Sequence, residues 1–312
     1  MVAPGAPRLH SHALTLGFVG LGSMGSHMVR HLCAAGHEVH VVDSDEHAVV
    51  RAVAHGAIAA AGPRALGDAV DAVLLCLPSP TIVHAVVLGK DGVSAGSRVR
   101  TIVDHSTSGP TLARELANDL ASLGIASIDA PLAGATIGAE AGTLTVMASG
   151  DEGAFRLIEP YLQAFGKAVV HVGDQPGQGQ VLKLVNNMIL AANIVTATEG
   201  MILGARFGLP PEVMAEVLNT GSARSFTTEK VIADRVVEGD FEIGFRLELM
   251  RKDLRLYLAE ADAAGVSAFS GAVTKQILDI AQHHATRSAD LLEVVWHLQE
   301  QASVKLTKSQ IT

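Results

Sequence analysis

A lysine and two asparagines lie at helical spacing within an apolar stretch of the chain. Residues 177–206 begin with two glycines, contain no proline and carry apolar residues on more than one helical face, which predicts one long helix buried on most sides. Lys183 lies about one turn inside this helix, and Asn186 and Asn187 follow on the same face. An uncompensated ammonium in a core is costly. We therefore expect Lys183 to face a cleft and to transfer a proton.

A glycine-rich stretch near the N-terminus suggests a second kind of chemistry. Apolar residues 14–19 predict a strand, and residues 27–35 have a helical pattern. Between them lie Gly20, Leu21, Gly22, Ser23, Met24 and Gly25. In this strand-to-helix context Gly20 permits a tight turn, Gly22 lets a pyrophosphate approach the backbone, and Gly25 allows close helix packing. The stretch is therefore predicted to bind a dinucleotide.

An acidic residue follows the glycines at the spacing expected of a ribose contact. Asp43 ends a predicted strand about 20 residues after them, where a carboxylate can accept hydrogen bonds from the adenosine ribose hydroxyls. Ser44, Asp45 and Glu46 come next and no arginine is close in sequence, so a 2′-phosphate would be repelled. We predict NAD as the cofactor in preference to NADP. The alternative is that the glycines form only a tight turn and that Asp43 is a solvated strand end.

The elements that must position these residues divide into two regions. Further strands are predicted over residues 38–42, 72–77, 100–104, 126–130 and 169–172, and their apolar character on both faces indicates a parallel sheet covered by helices. From the long helix onward only helical patterns occur, over residues 210–218, 229–235, 247–264, 271–283 and 290–301. We predict an α/β Rossmann-type domain over residues 14–174 and an all-α substrate and dimerisation domain over residues 175–303, joined by the long interdomain helix.

Three loops of the first region are predicted to reach bound ligands. Ligands of an open α/β sheet lie beyond the carboxyl ends of its strands, which places Leu77, Pro78, Ser106 and Thr107 along the cofactor. The neighbouring His105 is expected to be structural rather than catalytic. Residues 131–144 form a third loop, of small residues whose backbone amides suit a carboxylate, with a flexible loop as the alternative. The substrate contacts predicted in it are Ala133, Gly134 and Ala135.

Composition excludes several classes of function. The 312-residue chain has a formal net charge of −9 and 18% charged residues, which disfavours nucleic acid and anionic membrane surfaces as partners. No uninterrupted apolar run approaches the roughly 20 residues that a membrane span needs. The first dozen residues lack the apolar segment of a signal peptide. Cys33 and Cys76 lie in apolar segments, typical of a reduced, cytoplasmic protein. No metal site is predicted, since His283 and His284 point in different directions on a helix.

Four motifs in the same order resemble the β-hydroxyacid dehydrogenase family, which includes 3-hydroxyisobutyrate dehydrogenases. They are the glycine stretch at residues 20–25, Asp129-Ala130-Pro131 with Gly142-Thr143-Leu144, the segment from Gly177 through Lys183 to Asn187, and Lys252-Asp253-Leu254. On composition alone Lys252 and Asp253 would be read as surface charges. The resemblance covers about residues 14–274, and the combination of motifs is far more specific than any one of them.

The resemblance implies a function and roles for several residues. It implies hydride transfer between NAD and a small 3-hydroxy acid or its semialdehyde, with Lys183 as the catalytic lysine and Asn187 as the substrate-binding asparagine. Thr107 and Lys252 would contact the cofactor. Family likeness also implies a homodimer or homotetramer.

The chain departs from the family pattern at the substrate loop. The family typically reads Asp-Ala-Pro-Val-Ser-Gly-Gly, and here Ala133 replaces the serine and Ala135 the last glycine. The substrate is therefore a small carboxylate whose identity the sequence leaves open, as it does the role of Arg224. Two alternatives remain: an imine reductase-like enzyme, although those proteins generally lack this lysine, and a non-catalytic NAD-binding protein.

Overall fold

The computed structural model describes residues 13–285 and 289–308. These residues form a sheet lobe followed by a helical lobe, and one long helix passes from the first into the second. The N-terminal segment predicted to lack a signal peptide lies outside the described residues.

The sheet lobe contains one nine-stranded, mostly parallel sheet. Its strands are β1 (Leu16–Val19), β2 (Val39–Val42), β3 (Ile58–Ala59), β4 (Ala72–Leu75), β5 (Thr101–Asp104), β6 (Ala126–Asp129), β7 (Leu132–Ala133), β8 (Leu144–Ser149) and β9 (Gly166–Gly173). The spatial order is β3-β2-β1-β4-β5-β6-β8-β7, with β9 paired to β8. β8 runs antiparallel to both β6 and β7. The order reverses between β1 and β4, which is where a dinucleotide binds in sheets of this kind.

Helices cover the sheet and build the second lobe. They are α1 (Gly25–Ala34), α2 (Glu46–Ala54), α3 (Pro63–Ala69), α4 (Pro80–Leu88), α5 (Pro110–Ser122), α6 (Ala135–Ala141), α7 (Glu152–Leu162), α8 (Gln178–Arg206), α9 (Pro211–Thr220), α10 (Leu247–Ala263), α11 (Phe269–His283) and α12 (Glu293–Gln301). The helix predicted over residues 229–235 is a π-helical segment, Thr227–Val236.

Burial explains why the strands read as apolar on both faces. Successive residues of β4 point into different apolar clusters, Leu74 into the one that contains Phe18 and Leu75 into the one that contains Val83. A third cluster fills the helical lobe. The predicted fold class, a Rossmann-type domain followed by a helical domain, is confirmed, whereas the exact boundary between residues 174 and 175 stays a prediction.

The prediction of a loop over residues 131–144 is wrong, because this segment has regular secondary structure. It contains β7 and the short helix α6, and helix and strand meet at Gly134, whose φ of +131° favours glycine. Gly142 ends α6 in the left-handed conformation, with φ of +66°. The small residues that suggested an irregular loop therefore pack as a helix between two glycine turns.

Helix α8 has the predicted position but not the predicted burial. Gly179, Lys183, Leu184 and Asn187 are buried, whereas Val181, Leu182, Ile189 and Leu203 are 42–62% exposed. Among the described residues α8 is also the one helix long and apolar enough to cross a membrane by those two criteria, which core helices of soluble proteins meet as well. Lys183, Asn186 and Asn187 interrupt its apolar residues, so the finding does not contradict the expectation that no uninterrupted apolar run reaches the length of a membrane span.

Candidate active site at the junction of the lobes

The first turn of α8 is fastened to the sheet by a buried carboxylate. Asp129, at the end of β6, accepts hydrogen bonds from the backbone amides of Gly177 and Gln180 at 2.7 and 3.0 Å, and from the Ser149 hydroxyl at 2.6 Å. Ser149 Oγ in turn accepts a bond from the Gly179 amide. A β-carbon on Gly179 would overlap the Met147 carbonyl oxygen, so only glycine permits this close approach. The helix that carries Lys183 is thus held directly against the sheet.

The structure brings together the lysine and asparagines that the sequence grouped. Lys183 Nζ donates a hydrogen bond to Asn187 Oδ1 at 3.0 Å, and Asn186 Nδ2 donates to the same oxygen at 3.1 Å. Asn187 Nδ2 donates to Asp253 Oδ2 at 2.6 Å. Lys183 is only 9% exposed, so its amine does not point into bulk solvent. Asp253 fixes the orientation of the Asn187 amide, and Asn187 fixes the amine.

Burial lowers the pKa of Lys183 to about 8. Desolvation is the main cause, the neighbouring Lys252 lowers the pKa further, and the carboxylate of Asp253 opposes both effects. The dipole of a helix N-terminus also favours a neutral amine near the first turn. That contribution is weakened here because Asp129 and Ser149 already bond the first amides of α8. The amine can therefore change its protonation state close to neutral pH.

The charge pair of Lys252 and Asp253 is buried, not on the surface. The side chains of Lys252 and Asp253 are 14% and 3% exposed. Lys252 Nζ donates to the Thr107 carbonyl oxygen at 2.6 Å and lies 3.0 Å from Asp253 Oδ1. Thr107 follows β5 of the sheet lobe and Lys252 lies on α10, so this contact also joins the lobes. The alternative interpretation of Lys252 and Asp253 as surface charges is therefore wrong.

The glycine stretch has the geometry that a pyrophosphate requires. Gly20 has φ of +99°, and a β-carbon there would overlap the Cys76 carbonyl oxygen. A β-carbon on Gly25 would overlap the Gly20 carbonyl oxygen, whereas one on Gly22 would meet nothing within 4 Å. Gly20 and Gly25 therefore pack against backbone, whereas Gly22 faces open space at the N-terminus of α1. These residues therefore fit a dinucleotide phosphate.

The predicted ribose-binding acid lies beside this turn. Asp43 Oδ2 accepts a hydrogen bond from the Leu21 amide at 2.5 Å, and its Oδ1 accepts one from the Asp45 amide. A cavity of about 280 Å³ opens here and is lined by Leu21, Gly22, Ser23, Ser26, Asp43, Asp45, Ala48 and Arg51. The structure thus places Asp43 and the glycine turn around one cavity of a size suited to part of a nucleotide.

One residue of this cavity contradicts the sequence argument on the cofactor. Arg51 lines it, and its guanidinium lies 3.7 Å from Asp45 Oδ2. Arg51 is distant in sequence but near in space, because its long side chain extends back along α2 to Asp45, the N-cap residue of that helix. Sequence distance concealed a basic group that helical geometry could have revealed.

The remaining cofactor candidates lie at neighbouring strand ends. The structure ends β4 at Leu75, two residues earlier than predicted, so Leu77 and Pro78 belong to the following loop. The Leu77 amide donates to Ser106 Oγ at 2.9 Å, which links this loop to the one that carries Thr107. The two loops therefore form one edge of the junction between the lobes.

The substrate-loop candidates lie where β7, the last strand in the sheet order, leads into α6. Ala133 ends β7, Gly134 is the turn, and Ala135 begins α6 with an unusual φ of +53°. Thr136 Oγ1 donates to the Gly244 carbonyl oxygen at 3.3 Å, just before α10. Contact of these three residues with a substrate stays a prediction.

Other residues singled out in the sequence have local partners. His105 is buried, bonds the Ala130 carbonyl oxygen at 2.7 Å, and has its pKa lowered to about 4 by desolvation, as a structural histidine would. Arg224 is exposed and bonds Glu229 at 2.5 Å. Cys33 and Cys76 are free thiols, and the cytoplasmic location stays a prediction.

Two family profiles cover almost the whole described chain. Residues 15–173 match the NAD binding domain of 6-phosphogluconate dehydrogenase. Residues 177–298 match the NAD-binding region of NADP-dependent 3-hydroxyisobutyrate dehydrogenase. The chain belongs to the β-hydroxyacid dehydrogenase family. The resemblance inferred from the four motifs is confirmed, and NAD(P)-binding domains are present in this dehydrogenase.

Full-length relatives support the same family. The chain is 35% identical over 299 residues to 2-(hydroxymethyl)glutarate dehydrogenase of Eubacterium barkeri, covering 96% of this chain and 99% of that protein. It is 32% identical to 2-hydroxy-3-oxopropionate reductase of Escherichia coli, covering 94% and 100%. The structure of a Mycobacterium tuberculosis 3-hydroxyisobutyrate dehydrogenase with L-serine superimposes with a TM-score of 0.84 at 30% identity, covering 92% of this chain and 100% of that one.

Two alanine substitutions separate the packing role of the glycine turn from its binding role. We expect Gly25→Ala to lower the free energy of unfolding by about 1–3 kcal/mol, because its methyl group meets backbone. Gly22→Ala should change it by less than about 0.5 kcal/mol. It should nevertheless raise the Kd for NADH at least about tenfold, since the methyl group occupies the open side of the turn. Thermal unfolding and NADH titration test both; normal NADH binding by Gly22→Ala would contradict the assignment.

Proposed function

We propose that this dehydrogenase transfers a hydride between NAD and a small 3-hydroxy acid, interconverting the alcohol and a semialdehyde or oxo acid. The observation that carries the proposal is the amine of Lys183, buried between the lobes, held by Asn187 and lowered in pKa to about 8. A group with these properties is suited to general acid and base catalysis near neutral pH. The glycine turn and Asp43 supply a fitting cofactor site in the same molecule.

The residues at the junction of the lobes would have separate roles in the reaction. The glycine turn and Asp43 would hold NAD, whose nicotinamide would supply the hydride acceptor for alcohol oxidation and the donor for carbonyl reduction. The neutral amine of Lys183 would accept the hydroxyl proton during oxidation and, once protonated, donate one during reduction. Asn187 would hold the amine and orient the substrate, because its own amide is fixed by Asp253. Backbone amides near Gly134 would receive the carboxylate.

The relatives' names suggest the substrate class but not the substrate. A glutarate derivative, a hydroxyoxopropionate and a hydroxyisobutyrate are all small carboxylates. Ala133 offers no hydroxyl to a carboxylate, and Ala135 adds a methyl group at the start of α6. We therefore propose a small carboxylate held mainly by backbone groups, and leave its side chain unassigned.

Two rival functions make different predictions about the same lysine. An imine reductase-like enzyme would have little use for an amine placed to exchange a proton with an alcohol. A non-catalytic NAD-binding protein would not need Lys183 buried and oriented by Asn187 and Asp253. Consumption of NADH with a panel of semialdehydes separates these functions, because a pure binder gives no turnover.

Replacement of the lysine tests its proposed role. Lys183→Ala should lower kcat by about 10²–10⁴-fold while NADH binding is retained. In the wild type, kcat/KM for alcohol oxidation should rise as the pH passes through about 8, because the base is the deprotonated amine. Carbonyl reduction should instead fall through the same range. The measurement is a pair of pH profiles for each protein.

Lys90→Ala provides a matched control, since Lys90 is an exposed lysine near the end of α4. This variant should keep the kcat and the pH profile of the wild type. Turnover of Lys183→Ala within about tenfold of wild type, or an unchanged titration near pH 8, would show that Lys183 is not the acid and base.

The proposed preference for NAD rests on the two carboxylates of the ribose cavity. Asp43 and Asp45 would repel a 2′-phosphate, and Arg51 is already near Asp45. We expect kcat/KM to be at least about tenfold higher with NADH than with NADPH, a difference of about 1.4 kcal/mol. Asp43→Ala should reduce this ratio, and Arg51→Ala should lower only the NADPH value. A wild-type preference for NADPH would refute the argument.

We propose that a second copy of the chain covers the apolar groove of the helical lobe. This groove encloses about 900 Å³ between α8 and α9, and its rim includes Leu203, Phe207 and Val217, which are 62–81% exposed. Arg224, the charged residue of its lining, is paired with Glu229. Large apolar patches mark interaction sites, and two-fold homodimers are the commonest oligomers.

Light scattering tests this association. The wild type should have the mass of a dimer or tetramer, and Phe207→Asp should lower it because a buried, unpaired carboxylate is costly. Phe269→Asp is the control, since Phe269 is 81% exposed but lies outside the groove. A monomeric wild type would overturn the proposal.

A further inference from the structure

Gln180 uses its whole side-chain amide to bond one loop of the sheet lobe. It is fully buried, one turn before Lys183 on α8. Its Oε1 accepts hydrogen bonds from the amides of Ser108 and Gly109 at 3.0 and 3.1 Å. Its Nε2 donates to the Ser106 carbonyl oxygen at 2.8 Å. Three bonds to one four-residue loop fix that loop relative to the helix.

The loop bound by Gln180, residues 106–109, is the one proposed to face the cofactor. Ser106 Oγ accepts the Leu77 amide at 2.9 Å, and the Thr107 carbonyl oxygen accepts Lys252 Nζ at 2.6 Å. On the opposite side the buried Asp104 accepts bonds from the Ser106 amide and the Ser108 hydroxyl, each at 2.8 Å. The loop is therefore clamped between its own strand and α8.

We infer that Gln180 is a positioning residue that sets the distance between the nicotinamide and the amine of Lys183. Gln180, Lys183 and Asn187 follow at i, i+3 and i+7, so one helix face carries the loop anchor, the amine and its orienting amide. The amine is held by Asn187 on the same helix, so a displacement of the loop would shift the cofactor contact relative to the amine. This inference rests on the proposed function, because it assumes that Lys183 acts next to a nicotinamide at this loop.

The amide group of Gln180 is needed on both of its ends. A methionine of similar length would leave the Ser108 and Gly109 amides without their buried acceptor. A glutamate would keep that acceptor, but lose the donor to the Ser106 carbonyl oxygen. The two variants therefore remove three bonds and one bond from the loop respectively.

The first test uses hydrogen exchange in the cofactor-free protein, so it does not depend on activity. In Gln180→Met the amides of Ser108 and Gly109 should exchange at least about tenfold faster, while those of the Lys183 turn stay protected. Gln178→Met is the matched control. It is the same substitution two residues earlier, on an exposed side chain that accepts a hydrogen bond from the Gln175 amide and has none to the 106–109 loop among the described residues. Unchanged exchange at Ser108 and Gly109 would overturn the inference.

The second test measures catalysis and cofactor binding separately. Gln180→Met should lower kcat about 10- to 100-fold, because a misplacement of about 1 Å can cost about 100-fold. The Kd for NADH and the KM for the substrate should change less than threefold, and Gln180→Glu should give an intermediate kcat. An undiminished kcat, or an equal loss in Gln178→Met, would overturn the inference.

Failure of the proposed function gives a different result. It would appear as a wild type that binds NADH but turns over no hydroxy acid or semialdehyde. The role of Gln180 is then decided by the fluorescence of bound NADH, which reports the surroundings of the nicotinamide. A shift in emission with Gln180→Met and none with Gln178→Met supports the positioning role, and identical emission from all three proteins refutes it.

Discussion

The hydrogen bonds between Asp129 and the first turn of α8 join the two halves of the molecule. They satisfy amides that a helix N-terminus otherwise leaves without partners, and Gly179 lets the helix approach closely enough for them to form. The position of Lys183 follows from this contact, because the lysine lies on the next turn. The sheet thus determines where the amine stands, and the helical lobe determines what surrounds it.

The surroundings of the amine explain how a lysine can be buried without losing its proton entirely. Asp253 lies beyond Asn187, close enough to favour the charged form but separated from Lys183 by the amide. Lys252 takes the other oxygen of Asp253 and opposes that effect. Desolvation is the largest of these effects, and the pKa of Lys183 is therefore lowered, to about 8. A neutral asparagine between the two charges leaves the amine able to titrate, where a direct ion pair would have favoured the ammonium.

Local spacing allowed much of the fold and site to be predicted. Lys183 and Asn187 are one helical turn apart, so helix geometry alone brings their side chains together. The glycine stretch is only six residues long, so turn geometry alone brings its glycines together. The burial of Lys252 could not be predicted in this way, since it depends on packing between α10 and the sheet lobe, whereas the position of Arg51 near Asp45 follows from the geometry of α2 and was missed only because sequence distance was considered. Residues 135–141 misled for another reason: small residues permit a loop and a helix equally, and the glycines at either end decided between them.

The length of α8 places its proposed catalytic residue and its distal apolar surface far apart on one helix. At about 1.5 Å per residue its 29 residues span about 43 Å, with Lys183 about 8 Å from the clamped end and Leu203 about 38 Å from it. A tilt of one degree about the clamp would carry Leu203 through about 0.7 Å and Lys183 through only about 0.1 Å, by the same helical rise. Small rearrangements of the distal apolar surface are therefore mechanically insulated from the amine, so a subunit contact there can adjust without displacing the group that would exchange the proton.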